Sequence, residues 1–151
     1  MDLNIKELSE INTLEAFEKK CVEYLEEHPE LKREAVYEHE FADGVYIRTM
    51  KVTAGTLVIG KRHRNSTYNI FLKGKALIYA GEGQPIKEIV APMTFVSGPL
   101  VKKMAIFLED SEWINVHPTE ETDLNFIEQQ VIIPEQEYLE NKGALLCLGD
   151  M

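Results

Sequence analysis

Cysteine is scarce in this sequence: 2 of 151 residues, Cys21 and Cys147, near opposite ends. Neither has a partner at zinc-ligand spacing, and two thiols are too few for the disulfide framework of a small secreted fold. Two reduced thiols in a cytoplasmic protein are the expectation. No apolar run approaches the ~20 residues that span a bilayer, so no membrane is expected as a partner. The opening stretch, MDLNIKELSE, is acidic and lacks the charged-then-apolar order of a signal peptide. Internal repeats and low-complexity segments are missing, as are a Ser-His-Asp order, a nucleophile elbow, a phosphate loop and a usable Cys-His pair. Basic charge is also in deficit. Lys and Arg number 16 against 26 Asp and Glu, a formal net charge of −10. That balance argues against a nucleic-acid binder. What remains is ordinary for a globular chain, 44% hydrophobic and 28% charged, with length for about one domain.

The charge is unevenly spread. Residues 1–40 carry 5 basic and 12 acidic side chains, residues 41–108 carry 10 and 3, and residues 109–151 carry 1 and 11. A basic middle of +7 therefore lies between acidic arms of −7 and −10. Contact between arms and middle follows as an electrostatic expectation, within a chain or across a subunit interface.

Apolar periodicity gives the arms and the middle different structures. Leu14, Phe17, Cys21, Tyr24 and Leu25 recur at helical steps. Asn12 followed by Glu15 has the form of a capping box, and Pro29 ends the segment. Residues 5–11 would add a short earlier turn. From Val36 to His117 the pattern changes to nine short β-branched or aromatic runs: 36–41, 45–53, 56–59, 68–72, 76–80, 86–90, 94–96, 103–108 and 113–117. Turn residues such as Asp43-Gly44, Lys73-Gly74 and Gly81-Glu82-Gly83 separate them. Many short strands with glycine-rich turns and no intervening helix predict an all-β sandwich or barrel. Thr119 to Asp123 is rich in capping residues, and Leu124, Ile127 and Val131 follow at helical steps. Pro134 breaks the chain, residues 135–141 allow a further turn or two, and 144–148 form a short apolar tail that would pack on the barrel or on a second subunit. The division is thus an N-terminal helical arm (1–34), a β-barrel (35–118), and a C-terminal helix and tail (119–151).

The stretch Gly55 to Gly74, GTLVIGKRHRNSTYNIFLKG, resembles the first cupin motif, and Pro92 to Lys103, PMTFVSGPLVKK, resembles the second. From Val45 through His117-Pro118-Thr119 the chain is also similar to small cupin proteins often encoded by phages and prophages. The resemblance covers about half the chain and implies a double-stranded β-helix, a small jelly-roll barrel. It also implies self-association, a dimer above all, and, for a phage-type member, other phage structural proteins as partners. The location would then be the host cytoplasm or the virion. Cupin enzymes hold a divalent metal with three histidines and a glutamate. Here those positions carry Lys61, His63 and Thr67, with Lys102 or Lys103 near the third histidine. One ligand in four remains, and lysine repels a metal ion. No cofactor is expected, and His63 is a metal ligand only if a site exists at all.

Strand alternation then sorts the side chains. With His63 inward, Lys61 is inward too and Arg62 and Arg64 point out; with Thr67 inward, Asn69 and Phe71 follow. Lys61, His63, Thr67, Asn69 and Lys102 would make a donor-rich pocket suited to a small anion. Against this stand a plain hydrogen-bonded role for His63 and, for Lys61, an ion pair with an acidic arm of its own chain. Trp113 reads as packing, His117-Pro118-Thr119 as a junction, His28 and His39 as solvated, and Glu109, Asp110 and Glu112 as a solvated loop. Two functions follow. The first is a non-catalytic binding or structural barrel. The second is a cupin enzyme, an isomerase, lyase or oxygenase on a small polar substrate, with an atypical or absent metal site. Nucleic acid on an outer stripe of Arg62, Arg64, Lys73 and Lys75 would have to compete with the acidic arms.

Overall fold

A computed structural model describes residues 14–79 and 85–140. The expected turn at 5–11, the Asn12 cap, the Gly81-Glu82-Gly83 turn, Cys147 and the 144–148 tail lie outside them. Helix α1 (Leu14–Glu27) and a 3-10 turn (Pro29–Leu31) precede nine strands. These are β1 (Val36–Ala42), β2 (Val45–Val52), β3 (Leu57–Ile59), β4 (Thr67–Lys73), β5 (Lys75–Tyr79), β6 (Lys87–Val90), β7 (Met93–Ser97), β8 (Met104–Phe107) and β9 (Ser111–Pro118). Helix α2 (Leu124–Val131) follows, and residues 135–140 are helical.

The strands form two antiparallel sheets, ordered β1-β2-β9-β4-β7 and β3-β8-β5-β6. Four pairings nest like one long hairpin: β2 with β9, β3 with β8, β4 with β7 and β5 with β6. Two more, β4 with β9 and β5 with β8, roll that hairpin on itself. This is a jelly roll, the double-stranded β-helix expected from the motifs.

Register decides what the barrel contains. Met50, Trp113, Phe71 and Met93 form one inward row across the larger sheet; the next row is Arg48, Asn115, Asn69 and Phe95. Because side chains alternate between faces, a one-residue slip would turn both rows outward. The first row, with Val52, Ala76, Ile89, Ala105 and Phe107, makes the apolar floor. Trp113 packs there at 5.4 Å from Phe71 and edge-on to Phe95 and Phe107, a packing role as expected. Gly74 lets β4 turn into β5. Its φ of +106° suits glycine, and a Cβ there would stand 2.0 Å from the Ser111 hydroxyl.

Both arms dock on the barrel. Cys21 of α1 is buried with Tyr79 and Met104, against Leu57, Ile59 and Ile106 on the outer face of the smaller sheet. Burial, and next the charge of Glu18, pushes its thiol up to about 11. Helix α2 starts at Asp123, whose carboxylate accepts from the Asn125 and Phe126 amides, and it buries Ile127. Ion pairs join basic barrel to acidic arms: Lys102 with Glu18, Lys61 with Glu128, Arg62 with Glu135, and Arg64 with Glu137. The electrostatic expectation thus holds within one chain. No helix among the described residues is long and apolar enough to cross a membrane.

Candidate functional site

Above the apolar floor the barrel holds a cavity of about 480 Å³. Helix α2 lies over its mouth through Leu124, Ile127, Val131 and Ile132. Two backbone hydrogen bonds fix that cover, Arg64 N to Val131 O at 2.7 Å and Ile133 N to Arg62 O at 3.0 Å.

The polar wall is built outward from Asn69, which is almost wholly buried on β4. Its Oδ1 accepts from Trp113 Nε1 at 2.9 Å and from Asn115 Nδ2 at 2.7 Å, and its Nδ2 donates to Ser97 Oγ at 2.8 Å. Asn115 Oδ1 accepts from Arg48 at 3.2 Å, and Ser97 Oγ accepts from Lys103 Nζ. One chain of side chains, Arg48–Asn115–Asn69–Ser97–Lys103, therefore links two cations across the cavity. Neither has a carboxylate partner among the described residues, and Arg48 Nε is buried with no hydrogen-bond partner. The single described carboxylate lining the cavity is Glu128, at the rim, and it is paired with Lys61.

Four rings cross the mouth. His39 Nδ1 lies 2.6 Å from the Tyr46 hydroxyl; Tyr46 stacks on His117 at 5.9 Å, and His117 meets His63 at 5.4 Å. His63 Nδ1 and Thr67 Oγ1 are 2.7 Å apart. Burial holds His63 down at about 4, helped by His117, Arg48 and Lys103, and holds His117 down at about 4, helped by Arg48. Both imidazoles are therefore neutral near pH 7. Burial also lowers Lys103 to about 8.

Of the five residues singled out in the sequence, His63, Thr67 and Asn69 come together inside the barrel. Lys61 lines the cavity only at its rim, and Lys102 does not line it. Strand alternation does not hold over 61–64, because the segment from Gly60 has left β3 and holds only an isolated bridge at His63. Freed from strand geometry, Lys61 sits at the rim, 66% exposed, and takes the arm carboxylate that was its alternative partner. Arg62 is the buried one, 7% exposed, with its guanidinium 3.7 Å from the Tyr138 ring. Lys102 faces away from the cavity, toward Glu18 and Glu135. Lys103 shares the inward phase of Ala105 and Phe107. His117 is no mere junction, since it is buried beside His63, whereas His39 is exposed as expected and also contacts the Tyr46 hydroxyl. Arg48, Asn115 and Tyr46 were missed. The signal for them was their phase, two residues apart on β2 and β9 with core Met50 and Trp113.

The residues do not fit the divalent metal that the motif resemblance implies. Two neutral histidines face two unpaired cations, and among the described residues no three of His, Cys, Asp and Glu come together. A dication there would meet positive charge and, among the described residues, no carboxylate but the rim's Glu128, which is paired with Lys61.

Solved structures similar to this chain include a cupin superfamily protein from Desulfitobacterium hafniense (12% identity, 58% of this chain and 80% of that one, TM-score 0.48). KdgF from Halomonas sp. is similar at 15% identity over 60% of this chain and 84% of that one, TM-score 0.49. An acetylacetone dioxygenase from Acinetobacter johnsonii is similar at 14% identity over 56% and 59%, TM-score 0.47. No family model and no curated protein matches the chain. The strand order itself is that of a jelly roll.

Proposed function

We propose that this protein is a binding barrel that holds a small organic anion, anchored at Arg48. One observation carries the reading. A permanently charged guanidinium faces the cavity with its Nε buried and unpartnered and, among the described residues, no carboxylate to neutralise it. The guanidinium is half-buried over the Tyr37 ring, and an anionic ligand making charge-assisted hydrogen bonds would satisfy its unpartnered Nε. The ligand is small and part apolar, because the opposite walls present Val58, Ile78, Ile127 and Val131. Binding without turnover is the simpler role.

Thermal-shift and calorimetric titration with succinate and inorganic phosphate at pH 7 test this. Stabilisation that disappears in Arg48→Met and survives in Lys61→Ala and Lys102→Ala is expected. Unchanged shifts in Arg48→Met would overturn the assignment.

A second reading, an enzyme, has the His63–His117 pair in its favour. Two neutral imidazoles 5.4 Å apart in one cavity can take and return a proton.

Self-association belongs to the same proposal, and its surface is the outer face of the larger sheet. Ile47, Val116, Tyr68 and Val96 align there in one cross-strand row, with Tyr68 44% and Val96 66% exposed. Nearby on that face lies the row Lys51, Glu112, Lys73, whose alternating charge suits a second copy related by a two-fold axis.

A further inference from the structure

Lys103 stands apart from the other described lysines. It alone is withdrawn from solvent with no carboxylate beside it; Lys51, Lys75 and Lys102, also partly buried, pair with Glu38, Glu88 and Glu18. Its Nζ lies over two aromatic rings, 5.1 Å from the centre of Phe95 and 5.7 Å from that of Trp113. Its hydrogen-bond partner is the Ser97 hydroxyl. Asn69 fixes that hydroxyl, and through Asn115 the same chain fixes Arg48. An amine and an anion anchor are thus held by one hydrogen-bonded network in one cavity.

We propose that Lys103 is the nucleophile of a covalent carbonyl-capturing site, its amine condensing with the aldehyde or ketone carbon of a small oxo acid whose carboxylate pairs with Arg48. This rests on the anion-binding reading and names the ligand class. The neutral amine's lone pair forms the new C–N bond as the carbonyl π-pair moves to oxygen. Proton transfer from nitrogen to oxygen gives the carbinolamine. Loss of that oxygen as water, with both former amine hydrogens, leaves the C=N imine. Nothing is oxidised or reduced. His63 and His117, neutral in the same cavity, are placed to take and return the proton. Burial supplies the reactive form: with an amine held at about 8, roughly a tenth is neutral at pH 7, against well under a thousandth for a solvated lysine.

The test is reductive trapping on the full chain. Protein is incubated at pH 7.5 with glyoxylate or succinic semialdehyde and cyanoborohydride, then read by intact mass and peptide mapping. The expected result is one adduct per chain on Lys103, formed at least about ten times faster than on any other lysine. Lys103→Arg, which keeps the charge, should abolish it, and Arg48→Met should slow it. Peptide mapping of the wild-type chain needs no variant to fold. Adducts spread evenly over surface lysines would overturn the capture proposal. If succinate still stabilised the protein in that case, anion binding would stand alone. If succinate never did so, the anion reading would fall as well.

Discussion

Burial, more than contact, sets the charge of each group in the cavity. His63 and His117 are held at about 4 against an ordinary value near 6.5. Between those pH values the unfolded chain binds protons that the folded chain refuses, so stability falls as pH drops from 6.5 to 4. A chemical-denaturation series across that window should show this fall, and H63Q/H117Q should have a shallower slope. Parallel slopes would show that the two imidazoles are not held neutral. Lys103 acts at the other end. As pH rises through about 8 it loses its charge, facing Ser97, Phe95, Trp113 and the neutral His63 among the described residues, while Arg48 keeps its own. Succinate affinity should therefore weaken several-fold between pH 7 and 9 and not vanish. In Lys103→Met the pH profile should be flat. At this scale the sequence was only partly readable. Asn69 could be placed by its phase with Phe71, and Lys103 could have been placed by its phase with Ala105 and Phe107. That Arg48 lacks a carboxylate partner depends on which residues from distant strands share its row, and no local pattern carries that.

At the scale of elements, strand existence followed from turn chemistry. Asp43-Gly44 joins β1 to β2, and Gly74, with no room for a Cβ, joins β4 to β5. All nine expected strands are present with ends moved by one or two residues. The segment 60–66 was illegible for a physical reason: alternation holds only while the backbone is extended and paired, and here pairing lapses except at His63. What replaces it is a seam of ion pairs to the arms, and burial ranks them. Lys61–Glu128 is exposed on both sides and should contribute at most about 1 kcal/mol. Lys102, 11% exposed, neutralises Glu18 of one arm and approaches Glu135 of the other. Removing it leaves Glu18 without its cation at a partly buried site while Glu135 keeps Arg62, at a cost of about 2 kcal/mol. Urea unfolding of Lys102→Met and Lys61→Ala should show that order. Equal losses would mean that the arms are held by their apolar contacts alone, through Cys21 and Ile127.

Taken as a whole molecule, the chain places its acidic surplus on arms that clasp a basic barrel. Helix α1 packs on the outer face of the smaller sheet, whereas in the row Ile47, Val116, Tyr68 and Val96 on the larger sheet Tyr68 and Val96 stand exposed. Light scattering should report a dimer, and V116K, which sets an ammonium within that row, should give a monomer of unchanged far-ultraviolet spectrum. A wild-type chain that stays monomeric at high concentration would remove the sheet face from the account. The deeper consequence concerns the barrel's interior. Arms that pair with the outer cations leave Arg48 and Lys103 as charges that no carboxylate among the described residues answers, and a small anion is what they would accept. A crystal soaked in bromide tests that claim most directly, because bromide is an anion visible by its anomalous scattering. The account expects a bromide peak inside the barrel within hydrogen-bonding distance of the Arg48 guanidinium. Bromide confined to the outer surface, or a metal ion bound between His63 and His117, would contradict it.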